Sequence, residues 1–417
     1  MLKANLKNAL LGAAIVVPAN LMSSTAMAGT DLSLMIWDPA QLDGVQKAVE
    51  AFEETHPDID VTVEQAPRDQ FYSRLDAALG AGAGPDVMWQ SSRASYYVDG
   101  GVIEPLDAYI ERDGLSLDGY NPTITALYNF GGTQYGIPKD FDAWTVAYNA
   151  RVFSDLGIQP PSADWTWDDM LRIGEQVKAR SEGAVMPLYI YYNWNNGIVS
   201  LMQSMGGKAV DGQQGTMDSP EGIRALGMMK DLQDRGLITK VADSADLNSV
   251  NALISGTIAM AEVPSWNLSL LSRADVPEGT FHVLHLPAVD GKWASDTNGL
   301  SYMMNANSRH KDAAWELIKF LTSDDGAVLH AEGGAGLPAN SDPRALQAFV
   351  AANKPLAGLE DALAAQQPYP RTTTAYPAVI AGQPRINTAI MSGFYAGEIS
   401  AEEAAAQIDK VLDEALK

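Results

Sequence analysis

The sequence predicts an α/β protein of two domains, each built on a mostly parallel sheet flanked by helices. Three observations carry this. At 417 residues the chain exceeds the size at which a single core usually keeps growing. Strand-like and helix-like patterns alternate from the first apolar segment onward. Polar and aromatic turns recur where apolar strands end, which is where ligands lie in open parallel sheets.

The elements follow in order. Leu32 to Trp37 reads as a strand and Asp38 to Gln41 as its polar turn. Leu42, Val45, Val49 and Phe52 recur on one face of a helix that Pro57 stops. Ile59, Val61 and Val63 alternate as a second strand, and Phe71 to Leu79 reads as a helix closed by glycines. Asp86 to Trp89 is a third strand, with Gln90 to Ser92 as its turn. The stretch Tyr135 to Asn149 is the centre of the chain: Pro138 forbids a helix, and large residues alternate with small ones from Trp144 to Tyr148, so a strand begins there and crosses between lobes. Thr166 with Asp169 has the spacing of a capping box and opens a helix to about Arg180. Pro187 to Tyr192 reads as a strand that delivers Asn193 to Asn196 as a polar turn. Ser219 and Pro220 start another helix. Strands are expected at Thr257 to Ala261, Phe281 to Leu286 and Leu300 to Met304, then helices at Asp312 to Thr322 and after Ser400.

Composition narrows the function. Lys3, Lys7, an apolar run near Leu10 to Val17 and the Ala26-Met27-Ala28 ending form a secretory leader, cleaved after Ala28. No later run is long enough for a membrane helix. Absence of cysteine excludes disulfides, thiolate metal sites and a lipid-bearing cysteine, so a free periplasmic protein is expected. The net charge of −24 becomes −26 once the leader lysines leave, which argues against nucleic acid. No nucleophile elbow, zincin, P-loop or EF-hand pattern occurs; the glycines at Gly80 to Gly84 lack dinucleotide-binding spacing. No catalytic residue, metal or cofactor is expected.

The positive signal lies at strand ends: Trp37 and Asp38, Gln90, Asp140, Trp194 and Asn195, Trp266 and Asn267, Asn298, and the late Arg371. Sugar hydroxyls both donate and accept, matching carboxylates, amides and guanidinium, while the C–H face of a pyranose packs on indole. Tyr189, Tyr191 and Tyr192 read as core.

FEETHPDIDV (Phe52 to Val61), LDAALGAGAGPDVMW (Leu75 to Trp89), YGIPKDFDAWTVAYN (Tyr135 to Asn149), the helix start at Thr166 to Asp168, GTIAMAEVPSW (Gly256 to Trp266) and AAWELIKFLTS (Ala313 to Ser323) follow one another in an order that resembles the extracellular solute-binding proteins of bacterial ABC sugar importers, the maltose-binding-protein-like group, over nearly the whole chain. The resemblance implies a two-lobed periplasmic-binding-protein fold with a ligand cleft, lobe I being 30–140 plus 297–340 and lobe II 141–296 plus 341–417. It adds Gln41, Ser91 and Gly299 to the candidate contacts. It also implies a carbohydrate ligand, a membrane permease as partner and a monomer, with no enzymatic activity. Lys139 or Arg93 would keep an acidic or sulfonated sugar open. Two rivals remain: an exported glycoside-processing enzyme using Asp38 and Asp140, and a binder of a polyamine or compatible solute.

Overall fold

The computed structural model describes residues 29–91, 93–212, 214–243, 247–294, 297–365 and 383–416. Two sheets organise it. The first contains β1 (Thr30–Ile36), β2 (Ile59–Gln65), β3 (Val87–Gln90), β4 (Gly136–Pro138) and β9 (Ser301–Met304), in the spatial order β2-β1-β3-β9-β4. The second contains β5 (Trp144–Asn149), β6 (Met186–Tyr189), β7 (Ile258–Pro264) and β8 (Phe281–His285), ordered β8-β5-β7-β6.

Each sheet holds one strand that opposes the rest. β1 pairs in parallel with β2 and β3, whereas β9 runs antiparallel to both β3 and β4. Likewise β7 is parallel to β6, and β5 is antiparallel to β7 and β8. The two opposing strands are those that the chain enters directly from the other sheet. Parallel strands here finish facing the other lobe, so a strand arriving from that lobe starts where its neighbours end and must run against them.

Helices cover both faces of each sheet. Leu34 and Ile36 of β1 meet Val45, Val49 and Phe52 of α1 (Leu42–Thr55) on one face, while Met35, Met88 and Met303 meet Phe71, Leu75 and Leu79 of α2 (Arg68–Gly80) on the other. In β5 the alternation sorts large from small: Trp144, Val146 and Tyr148 enter one core, while Ala147 enters the opposite one. The helix Trp167–Arg180 carries the capping box at Thr166 and Asp169. Among the described residues no helix is long and apolar enough to cross a membrane.

Two elements depart from the expected pattern. The strand expected at Pro187 to Tyr192 stops at Tyr189, because the Tyr191 amide donates to Glu262 Oε2 at 2.7 Å instead of to a strand. The expected turn after it is a π-helical segment, Trp194–Ile198. Gly197 permits this: a Cβ there would collide with the Tyr191 carbonyl oxygen.

Three segments join the sheets and are bonded to one another around residues 139–142. Lys139 N donates to Leu300 O at 2.8 Å, Phe141 N to Leu337 O at 2.9 Å and Asp142 N to Asn298 O at 2.7 Å, while Ala339 N donates to Lys139 O at 3.1 Å. Gly299 lies against the Asp140 carbonyl with no room for a Cβ. Ala331 and Leu337 pack with Val263 of the second sheet and with Phe349 of the helix Pro343–Ala352.

Phe52 is wholly buried between α1 and the first sheet. Phe52→Ala should therefore lower unfolding stability by about 3–5 kcal/mol, read from the urea midpoint at unchanged slope.

Candidate functional site

Strand ends converge on one cavity of about 130 Å³ beside the crossing segments. β1 supplies Trp37, Asp38 and Gln41, β3 supplies Ser91, and the crossing segments supply Asp140, Asp142 and Asn298. β7 delivers Ser265 and Trp266 from the second sheet.

Lys139, although absent from the cavity wall, organises it. Its side chain is 1% exposed, and the ammonium donates to Asp140 Oδ2 and, at 2.8 Å, to Gln41 Oε1. The same nitrogen stands 4.1 Å from the centre of the Trp89 ring, so an aromatic face covers what the oxygens leave open. Burial lowers the Lys139 pKa, and the Asp140 carboxylate works against that shift. Gln41 extends the network: Nε2 donates to Asp38 Oδ2 at 3.1 Å, while Oε1 also meets His330 Nε2 at 3.1 Å. The amide orientation follows, with the oxygen facing donors and the nitrogen facing the carboxylate. Burial, reinforced by the nearby Lys139, keeps His330 well below the ordinary imidazole pKa. His330 comes this close because Gly44 lets α1 lie against its carbonyl.

Both aspartates are held rigidly. Asp38 Oδ1 accepts from Ala40 N at 2.9 Å, and Asp140 Oδ1 accepts from Leu300 N at 2.8 Å. Trp37 is boxed by Phe71, Tyr72 and Trp89 at ring distances of 5.0, 5.9 and 5.4 Å, yet remains half-buried on the cavity side. On the other wall Trp266 packs edge-on to Trp144 at 5.5 Å, and Trp144 to Tyr191 at 4.6 Å. The wall thus offers two indoles and fixed carboxylates; Asn298 also lines it, with its Oδ1 buried and without a hydrogen-bond partner among the described residues.

Of the residues singled out in the sequence, the structure brings together Trp37, Asp38, Gln41, Ser91, Asp140, Trp266 and Asn298 on this cavity. Gln90 and Gly299 are buried behind the wall; the Gln90 amide has no partner among the described residues, and the Gly299 carbonyl accepts from Tyr128 Oη at 2.5 Å. Trp194 does not line the cavity: it is fully buried in the core packed against the second sheet, in the π-helical segment Trp194–Ile198. Asn195 beside it donates to Asn196 Oδ1 at 2.9 Å, away from the cavity. Arg371 lies outside the described residues. Lys139 is consumed by its internal partners, and Arg93 pairs with Asp76 while stacking on Tyr72.

Sequence reasoning missed Arg68, Asp142 and Ser265 on this wall. Arg68 follows the end of β2, so the rule that pointed to the turns after β1 and β3 would have found it.

Glu262 stands behind the Trp266 platform. Its carboxyl borders a small cavity of about 20 Å³ with Trp167, Ser200 and Ser204, room for one water. Burial pushes it up to about 8, against the opposing effect of the Tyr191 amide bond.

A profile of the family described as bacterial extracellular solute-binding protein matches residues 38–328. A maltotriose-binding protein of Pyrococcus abyssi is 27% identical over 306 residues, covering 70% of this chain and 62% of the relative, so the match spans less than two thirds of that protein. A lactose-binding protein of Rhizobium radiobacter is 24% identical over 328 residues, covering 76% of this chain and 75% of the relative. An ABC substrate-binding protein from Listeria monocytogenes, solved in complex with cycloalternan, superimposes with a TM-score of 0.82 at 20% identity, covering 93% of this chain and 98% of that one. That likeness shows a shared fold.

Lys139→Met should cost about 3–5 kcal/mol, because it leaves a buried carboxylate without its cation. Lys139→Met with Asp140→Asn should recover part of the loss, and a double-mutant cycle by urea unfolding checks this. Glu262 gives a pH prediction. An unfolded glutamate titrates near 4.5 and the folded one near 8, so the native state binds the extra proton between those values. Stability relative to Glu262→Gln should therefore be greatest below about pH 4.5 and fall as pH rises to 8, seen as diverging melting midpoints.

Proposed function

Because the chain belongs to the bacterial extracellular solute-binding proteins, we propose that it is the substrate-binding component of an ABC importer and holds a carbohydrate between its lobes. The observation that carries this reading is the cavity shared by the two sheets, with Trp37, Asp38 and Ser91 on one side and Ser265 and Trp266 on the other. A pyranose placed there sets its C–H faces against indole and its hydroxyls against Asp38, Asp140 and Asn298. These oxygens are oriented before the ligand arrives, which lowers the ordering cost of binding.

Lobe I comprises 30–140 plus 297–340, and lobe II comprises 141–296 plus 341–417. The cavity volume of about 130 Å³ lies below the roughly 300–1,000 Å³ of ordinary ligand pockets. Entry of a sugar therefore involves relative movement of the lobes about the three crossing segments. A ligand touching both walls favours the closed form by the difference in its affinity for the two states. Export through the leader at 1–28, a periplasmic location, a monomeric state and docking of the closed form on a membrane permease complete the proposal. The similarity to a maltotriose-binding and a lactose-binding protein supports carbohydrate as the ligand class.

The glycosidase alternative is disfavoured by the aspartates themselves. Each oxygen of Asp38 and of Asp140 already accepts a hydrogen bond within the protein, an arrangement that positions both carboxylates as acceptors.

The proposal is tested by melting the mature protein against mono- and disaccharides, polyols and polyamines. A ligand at a hundred times its Kd should add about 2.7 kcal/mol, and the sugar should be recovered unchanged. Trp266→Ala should weaken that sugar at least tenfold, about 1.4 kcal/mol, by calorimetric titration. A shift given only by a polyamine or other non-sugar contradicts the carbohydrate assignment.

A further inference from the structure

The cavity's charges are not equivalent. Its carboxylates at Asp38 and Asp140 are engaged by protein donors, whereas Arg68 lines the same cavity with no ion pair among the described residues. Arg93, Arg112, Arg224, Arg235 and Arg344 all sit on carboxylates. Arg68 instead has its guanidinium carbon 6.0 Å from the centre of the Trp37 ring, over one of the two indoles of the cavity. Stacking on an aromatic face restrains the group while leaving its in-plane donors free. Arg68 is also the first residue of α2, whose N-terminus has no side-chain cap, so the positive end of that helix lies beside it.

We propose that the ligand of this cleft is an acidic sugar, whose oxyanion group Arg68 takes in a bidentate pair while the sugar ring lies between Trp37 and Trp266. This rests on the carbohydrate reading above and adds the substrate class to it. The fork of Arg68 matches a planar carboxylate and also engages two oxygens of a sulfate or sulfonate. The neutral hydroxyls face Asp38, Asp140 and Asn298, which serve as acceptors. The three cavity aspartates repel an anion placed among them, so the acidic group must sit at the Arg68 end. Binding is thereby oriented. The site discriminates against neutral sugars because they leave the guanidinium unpaired in the closed cleft.

The experiment is calorimetric titration of the mature protein with matched pairs: D-glucose and D-glucuronate, D-galactose and D-galacturonate, and glucose with glucose 6-sulfate. At least one acidic member should bind tenfold or more tightly than its neutral partner, with the advantage shrinking as salt rises. The carboxylate and sulfate arms distinguish the source of the oxyanion. Arg68→Gln should bring the acidic member to within about twofold of the neutral one. Arg68→Lys should keep only part of the preference, because a point charge replaces the fork. Both variants alter an exposed side chain, and circular dichroism verifies their folding. Neutral sugars binding as well as acidic ones, or an acidic preference unchanged in Arg68→Gln, would overturn this proposal and leave the carbohydrate reading standing. Failure of every sugar to bind, neutral or acidic, alongside binding of a non-sugar, would overturn both.

Discussion

The Lys139 ammonium, enclosed by Asp140, Gln41 and the face of Trp89, is the interaction on which the arrangement depends. An ammonium removed from water is strongly unfavourable unless paired and hydrogen-bonded. Meeting that condition fixes three things together. Asp140 is drawn to the start of a crossing segment, Gln41 is turned so that its nitrogen holds Asp38, and the first turn of α1 is anchored near His330. Two carboxylates from distant parts of the chain thereby reach one cavity in set orientations. A hydrophobic replacement of the same volume would fill the space without orienting either carboxylate.

The crossing segments explain the sheet topology and the site's location at once. β5 and β9 oppose their neighbours because each begins where the chain has just crossed. The parallel strands β1, β3 and β7 all finish at this same edge and deliver Trp37, Ser91 and Ser265 to it. The cavity is therefore a product of connectivity, and the backbone bonds among residues 139–142, 298–300 and 337–339 hold its floor. Gly299 shows how tight that floor is, since any side chain there would press on Asp140.

Much of this was legible in the sequence. Alternation at Trp144 to Tyr148, the Thr166 and Asp169 cap, and the polar turns after apolar strands all report local rules that the tertiary structure keeps. The turns at Asp38, Ser91 and Trp266 were visible because a polar turn after a buried strand is conspicuous. Trp194 obeyed the same local rule and lies elsewhere, because a π-helical segment made possible by Gly197 buries it. A close backbone approach of this kind leaves no sign in hydrophobic periodicity. Lys139 was read as a ligand-facing charge, since sequence does not show that Trp89 and Gln41 would enclose it. Arg68 opens α2 just after Pro67, close behind the end of β2, where the rule for strand ends also applies.

In the proposed function one ligand contacts both lobes and draws them together about the crossing segments. The chain contains no cysteine, so two introduced cysteines can be spin-labelled without background. Gln70, two residues after Arg68 on α2, and Leu270, four residues after Trp266, are both exposed. A pulsed dipolar distance measurement on Gln70→Cys with Leu270→Cys should show the distribution move to shorter distance and narrow when the best-binding sugar is added. A distribution that stays unchanged at saturating sugar would contradict closure around a shared ligand.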